Sequence, residues 1–347
     1  VIKIGTKEVG KERPCFIIAE AGVNHNGSLK RALQMVDAAK AAGADAIKFQ
    51  TFRTEEIVTQ DAPKAKYQRG RSTGKTQFEM LKKLELHKQD FVKLYGYCKK
   101  KRIIFLSTPF DLQSAEFLFK LGMTAFKISS GDLNNLPLLS RIAKYRKPII
   151  ISTGMSNISE IKDTLSAIRS AGNSKIVLLH CTSNYPADLR SVNLKAIKSM
   201  ESTFKLPIGY SDHTLGIEVA MAAAVLGAAI IEKHFTIDLD LPGPDHKASL
   251  NPEQLQNMVQ SIRNIEEAMG SDKKNVQRSE FEVKKVIRKS IVAANWIRKG
   301  TRITSSMLKI KRPGTGLEPK ELPKIVGKYA RIDIGKDKMI KWGSVRP

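Results

Sequence analysis

Two histidines sit at matching positions of one strand-helix-strand unit. The stretch 208–246, IGYSDHTLGIEVAMAAAVLGAAIIEKHFTIDLDLPGPDH, places His213 just past a short apolar strand and His234 just past a second. Between them, Ile217–Leu226 is apolar and alanine-rich, with the length of a buried crossover helix that Gly227 stops. Such a crossover sets parallel strands side by side, about 4.8 Å apart, with both carboxyl ends on one edge. Two imidazoles there can share one metal ion, whereas a lone histidine is more often a structural hydrogen-bonder.

Other polar residues fall at the same kind of place. Lys48 in AIKFQT and Lys127 in FKISSGD end apolar runs, and a buried ammonium is costly without negative charge beside it, so the pair points to an anionic ligand. Hydroxyls at Thr108, Ser130, Ser152 and Ser211 can donate to phosphate oxygens, and charge-assisted bonds of that type are strong. Taken singly, each hydroxyl is better read as satisfying a strand-end backbone group. Together with two lysines and two histidines they describe a phosphate-plus-metal site. Cys181 follows His180, but nothing makes it a nucleophile, and neither a Walker phosphate loop nor a GxGxxG fingerprint is present.

The elements that must position these groups alternate along the chain. After a hairpin around Ile2–Arg13, strands are predicted at Cys15–Glu20, Ala44–Gln50, Ile103–Ser107, Ala125–Ile128, Pro148–Ser152, Lys175–His180, Leu206–Tyr210 and Ala229–Lys233. Helices are predicted at Leu29–Ala42, Lys88–Lys101, Leu112–Leu121, Leu136–Tyr145, Ser159–Ala171, Leu194–Thr203, Ile217–Leu226 and Pro252–Met269. Eight strand-helix repeats in about 250 residues is the pattern of an α/β TIM (β/α)8 barrel. A doubly wound open sheet is the alternative. Active sites of the barrel fold lie at the carboxyl ends of the strands. Glu20, Asn24, Lys48, Gln50, Thr108, Lys127, Ser130, Ser152, His180, Ser211, His213 and His234 all fall there. One insertion, Thr51–His87, carries the polar stretch APKAKYQRGRSTGKTQ near the same mouth, as a lid or a plain solvated loop.

The pattern changes after Met269. The reading divides the chain into a catalytic barrel over 1–270, a charged linker over 271–285 and a small, mostly β domain over 286–347, too small to hold much core of its own.

Composition bounds the rest. The 347 residues are 41% hydrophobic and 27% charged, which suits a globular chain with a full-sized core. Cys15, Cys98 and Cys181 lack ligand-like spacing and fit a reduced protein. The longest apolar run, Val219–Ile231, is too short for a membrane span, and VIKIGTKEVGKERP lacks the apolar core of a signal peptide, so a cytoplasmic protein is expected. A formal charge of +25 raises the alternative of a basic nucleic-acid-binding protein. The lysines are scattered, few aromatics interleave with them, and no nucleic-acid motif is present, so nucleic acid is not expected as a partner. The segment after Gly270 is the more basic part, with 21 Lys and Arg against 7 Asp and Glu.

The ordered set IIAEAGVNHNGSL, AIKFQT, LSTPFD, FKISSGDLNNLPLL, IISTGMS, LLHCTSNYP, GYSDHTLG, EKHFT and LPGPDHKASLNP resembles the sialic acid synthase family over nearly the whole chain. RKSIVAANWIRKGTRIT followed by KRPGTG is similar to that family's carboxyl-terminal antifreeze-like (SAF) domain. The resemblance implies condensation of phosphoenolpyruvate with an open-chain N-acetylated hexosamine, N-acetylmannosamine in the best-known members, releasing phosphate and a nonulosonic acid. A 2,4-diacetamido-2,4,6-trideoxymannose leading to N,N'-diacetyllegionaminate is the alternative substrate, and a phosphorylated sugar the rival within enzymes. It further implies that His213 and His234 hold a divalent metal, manganese with magnesium or cobalt as alternatives. Lys48, Thr108, Lys127, Ser152, Ser183 and Ser211 match phosphoenolpyruvate positions. Glu20, Gln50, Asp132, Tyr185 and Asp245 match positions around the sugar and the reacting carbons. Asp132 and Ser183 stand where a well-known N-acetylneuraminate synthase pattern has Glu and Asn, which bears on the sugar rather than the reaction. Finally, the family's small domain crosses to the other subunit of a domain-swapped homodimer. This implies that Arg312, in KRPGTG, contacts the N-acetyl group from there.

Overall fold

A short antiparallel hairpin, β1 (Ile2–Ile4) and β2 (Lys7–Val9), opens the chain in the computed structural model, which describes residues 1–65, 68, 69, 72 and 74–347. Ile4 and Val9 of the hairpin are fully buried against Phe16, Ile18, Ala46 and Leu106. The elements that follow are β3 (Phe16–Gly22), α1 (Leu29–Ala41), β4 (Ala46–Thr51), α2 (Thr54–Ile57), α3 (Gln77–Leu84), α4 (Lys88–Lys101), β5 (Ile104–Pro109), α5 (Leu112–Leu121) and β6 (Phe126–Ile128). Then come α6 (Leu136–Ala143), β7 (Ile149–Ser152), α7 (Ile158–Ser170), β8 (Ile176–Cys181), α8 (Leu189–Val192), α9 (Ala196–Phe204), β9 (Ile208–Asp212), α10 (Glu218–Val225), β10 (Ile230–His234) and α11 (Pro252–Met269). Seven parallel ladders join the strands in the order β5-β4-β3-β10-β9-β8-β7-β6, and β5 packs beside β6, so the sheet is a nearly closed eight-stranded barrel.

All eight predicted strands are present, each ending one or two residues beyond the predicted carboxyl end except β6 and β7. His234 is therefore the last residue of β10 rather than the first beyond it, while His213 follows β9 directly. Local chemistry fixes the helix ends. Asp111 caps α5, which stops at the left-handed Gly122, and Asn251 caps α11 ahead of Pro252.

Parallel strands are buried on both faces, and the two rows of each strand do different work. The row turned toward the helices stays apolar for most of its length, as with Ile17, Ala19, Ile47, Phe49 and Phe105. The inward row begins apolar, with Phe16, Ile18, Ala46, Leu106, Ala125, Ile150 and Val177. Continued by two residues at a time toward the carboxyl ends, that row becomes Glu20, Lys48, Thr108, Lys127, Ser152, Ser211, Glu232 and His234. The polar set thus sits on an apolar floor at the mouth of the barrel.

The insertion after β4 carries α2 and α3, whose Met80 and Leu84 bury with Val23 and Phe52 against Ile57, Leu81 and Phe110. Within the polar stretch singled out above, Lys66, Tyr67, Gly70, Arg71 and Thr73 lie outside the described residues.

Residues Val1–Gly270 form one compact unit and Ser271–Pro347 another. The second contains α12 (Phe281–Ile287), β11 (Ser290–Ala293), β12 (Leu308–Lys311), α13 (Leu322–Ile325), β13 (Tyr329–Ala330) and β14 (Val345–Arg346), with antiparallel pairs β11–β12 and β13–β14. Within the stretch 271–285 read as a linker, α12 begins at Phe281. The expectation of little core is corrected here. Ile291, Ile297, Ile303, Ile325, Ile334 and Ile340 are among the residues of an apolar cluster of the unit's own. Distributed among the short strands and turns of the unit, they share one centre.

Candidate active site

The charged floor of the barrel mouth is a continuous network. Lys48 Nζ lies 2.6 Å from Glu20 Oε2 and 3.7 Å from Glu232 Oε2, and it donates to Thr108 Oγ1 at 3.2 Å. Lys127 Nζ lies 3.3 Å from Glu232 Oε1 and donates to Ser152 Oγ at 2.7 Å. Ser211 Oγ donates to Glu232 Oε1 at 3.0 Å, and Gln50 Nε2 reaches Glu20 Oε1 at 3.5 Å. Glu20, Lys48, Lys127 and Glu232 are each 2–4% exposed.

This corrects the electrostatic argument made from sequence. The two lysines are not buried without negative charge; Glu20 and Glu232 stand beside them. Glu232 escaped the sequence reading, although its signal was available: it precedes His234 by two in a strand and so shares the inward row. His180 is the converse error. It lies on the outward row, with a ring nitrogen 2.7 Å from the Val192 carbonyl oxygen, and does not line the cavity.

The environment separates the two carboxylates. Burial pushes the Glu20 carboxyl up to about 7, against the opposing pull of Lys48. Burial acts in the same sense on Glu232, but the ammonium groups of Lys127 and Lys48 outweigh it and hold that carboxyl down at about 2. Burial lowers Lys48 as well, yet Glu20 and Glu232 raise it overall, while for Lys127 burial prevails and lowers it. Of these two, Glu20 is thus the carboxyl group that can exchange a proton near neutrality.

Above this floor are the histidines. The His213 and His234 rings lie 5.7 Å apart between centroids, with the Tyr185 ring 4.2 Å from His213 and 5.7 Å from His234. His213 Nδ1 donates to the Thr182 carbonyl at 2.7 Å, the oxygen being able only to accept, which leaves the lone pair on Nε2. His234 Nδ1 is buried without a hydrogen-bond partner among the described residues. Burial lowers both histidines, His234 well below the usual value, so both are neutral and available as ligands. Metal–nitrogen bonds of about 2.1 Å let two rings at this separation share one ion. The donor set therefore fits a divalent cation bound by two imidazoles. No group of three or more His, Cys, Asp or Glu side chains suited to a metal occurs among the described residues, so further ligands would come from solvent or substrate.

The same cavity, of about 670 Å³, is lined by Glu20, Lys48, Gln50, Thr108, Lys127, Ser130, Asp132, Ser152, Ser183, Tyr185, Ser211, His213, His234 and Asp245. Asp132 accepts from Ser129 and Asn135, and burial raises it; burial likewise pushes Asp245 up to about 6. Ser130 Oγ accepts from Gly154 N at 2.9 Å. A Cβ at Gly154 would fall 2.2 Å from Ser183 Oγ, so only glycine lets the two loops meet there. Arg312 belongs to the second unit, where it is exposed.

Residues 35–274 match the NeuB family, and 288–346 match the SAF domain. An N,N'-diacetyllegionaminic acid synthase of Legionella pneumophila is 46% identical over 343 residues, covering 97% of this chain and 96% of that protein. A protein of the same description from Campylobacter jejuni is 45% identical over 329 residues, covering 94% and 98%. The crystal structure of an N-acetylneuraminic acid (sialic acid) synthetase from Leptospira borgpetersenii superposes with a TM-score of 0.72 at 38% identity, over 81% of this chain and 94% of that one. The chain belongs to the NeuB family, and it is a sialic-acid-synthase-type enzyme of phosphoenolpyruvate-dependent condensation, a barrel followed by a SAF domain.

Proposed function

We propose that this enzyme condenses phosphoenolpyruvate with 2,4-diacetamido-2,4,6-trideoxymannose to give an N,N'-diacetyllegionaminate-type nonulosonic acid. The observation that carries the choice of sugar is the two-sided cavity. Beyond the charged floor, Phe52, Ile57, Met80, Leu81 and Phe110 give it an apolar wall built largely by the insertion after β4. A deoxygenated C6 methyl and a second acetamido methyl gain from such a wall, at about 0.8 kcal/mol per buried CH2. The hydroxyls of N-acetylmannosamine do not. The names of the Legionella and Campylobacter relatives agree with this reading.

The floor suits the other substrate. Lys127 with Ser152, and Lys48 with Thr108, form two donor pairs for a phosphate and a carboxylate, and Ser211 adds a third hydroxyl. Entry of phosphoenolpyruvate puts its anionic groups in competition with Glu20 and Glu232 for the two ammoniums. His213 and His234 would hold the divalent cation, manganese in our reading. When bound, it supplies Lewis-acid polarisation of the sugar aldehyde. C3 of phosphoenolpyruvate then bonds to the aldehyde carbon as the C=O pair moves onto the aldehyde oxygen, which must gain a proton to become the new hydroxyl, and C2 is left cationic. Water adds at C2 as Glu20 takes one of its protons and passes it to the new alkoxide oxygen; the other goes with the phosphate as the C2–O bond breaks, releasing phosphate and the 2-keto acid. Asp132, Gln50, Tyr185 and Asp245 line the remaining space for the sugar.

The proposal extends to the assembly. The second unit's Arg312 is proposed to reach the N-acetyl group of a sugar bound in the partner subunit of a homodimer. The choice of sugar is tested by steady-state phosphate release with each sugar at saturating phosphoenolpyruvate and manganese. A kcat/KM at least tenfold higher for the diacetamido sugar is expected. A preference for N-acetylmannosamine would reassign the product to N-acetylneuraminate.

A further inference from the structure

A second pair of side chains is matched behind the two histidines, on the outward row of the sheet. Asp212 precedes His213, Lys233 precedes His234, and the two are cross-strand partners in the β9–β10 ladder. Both side chains are wholly buried. Lys233 Nζ donates to Asp212 Oδ2 at 2.7 Å and to the Thr214 carbonyl oxygen at 2.5 Å. Asp212 Oδ1 accepts from Thr214 N at 2.9 Å, Thr214 Oγ1 at 2.8 Å and the Tyr210 hydroxyl at 3.3 Å. The ion pair therefore grips the backbone N–H and C=O of the residue after His213, while its lysine is covalently joined to His234.

We propose that Asp212 and Lys233 are positioning residues that set the spacing of the His213 and His234 rings for a shared divalent cation. The inference rests on the reading of those histidines as metal ligands. Neither Asp212 nor Lys233 lines the cavity, so neither touches substrate. A buried ion pair is often no better for fold stability than apolar side chains of similar volume. What it adds is direction. A shift of either strand end relative to the other breaks the Lys233 bonds of 2.5 and 2.7 Å. On the far side, His213 is held by its own ring bond to Thr182 and by the Ala187 N–H, which donates to the His213 carbonyl at 2.8 Å. Fixed between these anchors, His213 has no freedom to follow a displaced His234. Partners behind metal-binding histidines of this kind change metal affinity by about 10- to 100-fold when removed.

The test is a Mn(II) titration of the full-length protein by electron paramagnetic resonance, with thermal melts of the metal-free form alongside. Four proteins are compared: the parent, His213→Ala, the double variant Asp212→Asn/Lys233→Met, and Thr214→Val. The parent binds Mn(II) and His213→Ala does not. The double variant melts within about 4 °C of the parent but binds Mn(II) about 10- to 100-fold more weakly. Parent-like affinity in the folded double variant overturns the proposal while leaving the ligand assignment intact. Failure of the parent to bind, or undiminished binding by His213→Ala, overturns the ligand assignment and this inference with it. If the double variant does not fold, Thr214→Val decides, since it removes only the hydroxyl bond to Asp212. Binding about threefold to tenfold weaker supports the positioning role, and unchanged binding contradicts it.

Discussion

Lys48 and Glu20 face each other across the β3–β4 ladder with 2.6 Å between ammonium and carboxylate, both sealed from solvent. The contact leaves Glu20 charged enough to hold Lys48, yet burial keeps it near the point of protonation. Glu20→Gln preserves shape and hydrogen bonding but cannot accept a proton. Turnover should fall about 10²- to 10⁴-fold, with little change in the Michaelis constant for phosphoenolpyruvate. A variant with parent-like kcat would remove Glu20 from the proton-transfer role.

Lys127 has two partners, Glu232 and Ser152, and each would compete with an incoming phosphate for its protons. Lys127→Met should raise the Michaelis constant for phosphoenolpyruvate by roughly 10- to 150-fold, the equivalent of a charged hydrogen bond worth about 1.5–3 kcal/mol. It should also raise the Glu232 carboxyl from its low value, visible by carbon NMR of the labelled side chain. An unchanged Michaelis constant would place the phosphate away from Lys127.

Much of this arrangement is legible in the sequence because barrel strands are short and regular. Position at predicted strand ends brings Lys48, Thr108, Lys127, Ser152 and Ser211 to the mouth, where they line the cavity. Two-residue alternation along each strand supplies what strand-end position lacks: it removes His180 and admits Glu232. The relation of Lys233 to Asp212 was illegible for a different reason. It depends on which residues of two strands 21 apart in sequence are register partners, and that is set by the tertiary ladder. The core of the second unit was underestimated because its isoleucines are scattered among turns that give no periodic signal.

His25 and His246 give the fold a pH dependence that can be worked out in sign. Burial lowers them to about 3 and about 4, and neighbouring positive charge from Arg31 adds to both. Their ordinary value is about 6.5, so the unfolded chain takes up protons below that pH while the folded chain does not. Stability is full above pH 6.5 and is lost as pH falls toward 4 and then 3. For His246 alone the loss by pH 4 is about 3 kcal/mol. Melting of the parent and of His246→Gln between pH 7 and 4 checks this: the variant's curve should be flatter. Parallel curves would contradict it.

If Arg312 completes the partner subunit's site as proposed, complementation follows. His213→Ala and Arg312→Ala homodimers are each expected to be inactive. Co-expressed, a mixed dimer keeps one site with both residues intact and should recover up to about half of the parental activity per dimer. Purification on two different tags and assay of the doubly tagged species measures it. Activity no greater than that of either homodimer would show that each chain completes its own site.

The central claim is that one cavity joins phosphoenolpyruvate to an N-acetylated sugar and releases phosphate. The most direct measurement is mass spectrometry of the product alongside phosphate release, with manganese present and after chelation. One phosphate is expected per phosphoenolpyruvate consumed and one nine-carbon 2-keto acid per phosphate. Its mass should equal the two substrates plus water less phosphoric acid, and formation should stop on chelation and resume on adding manganese. Phosphate released without the nine-carbon acid, or no turnover with either sugar in the metal-loaded protein, would contradict it.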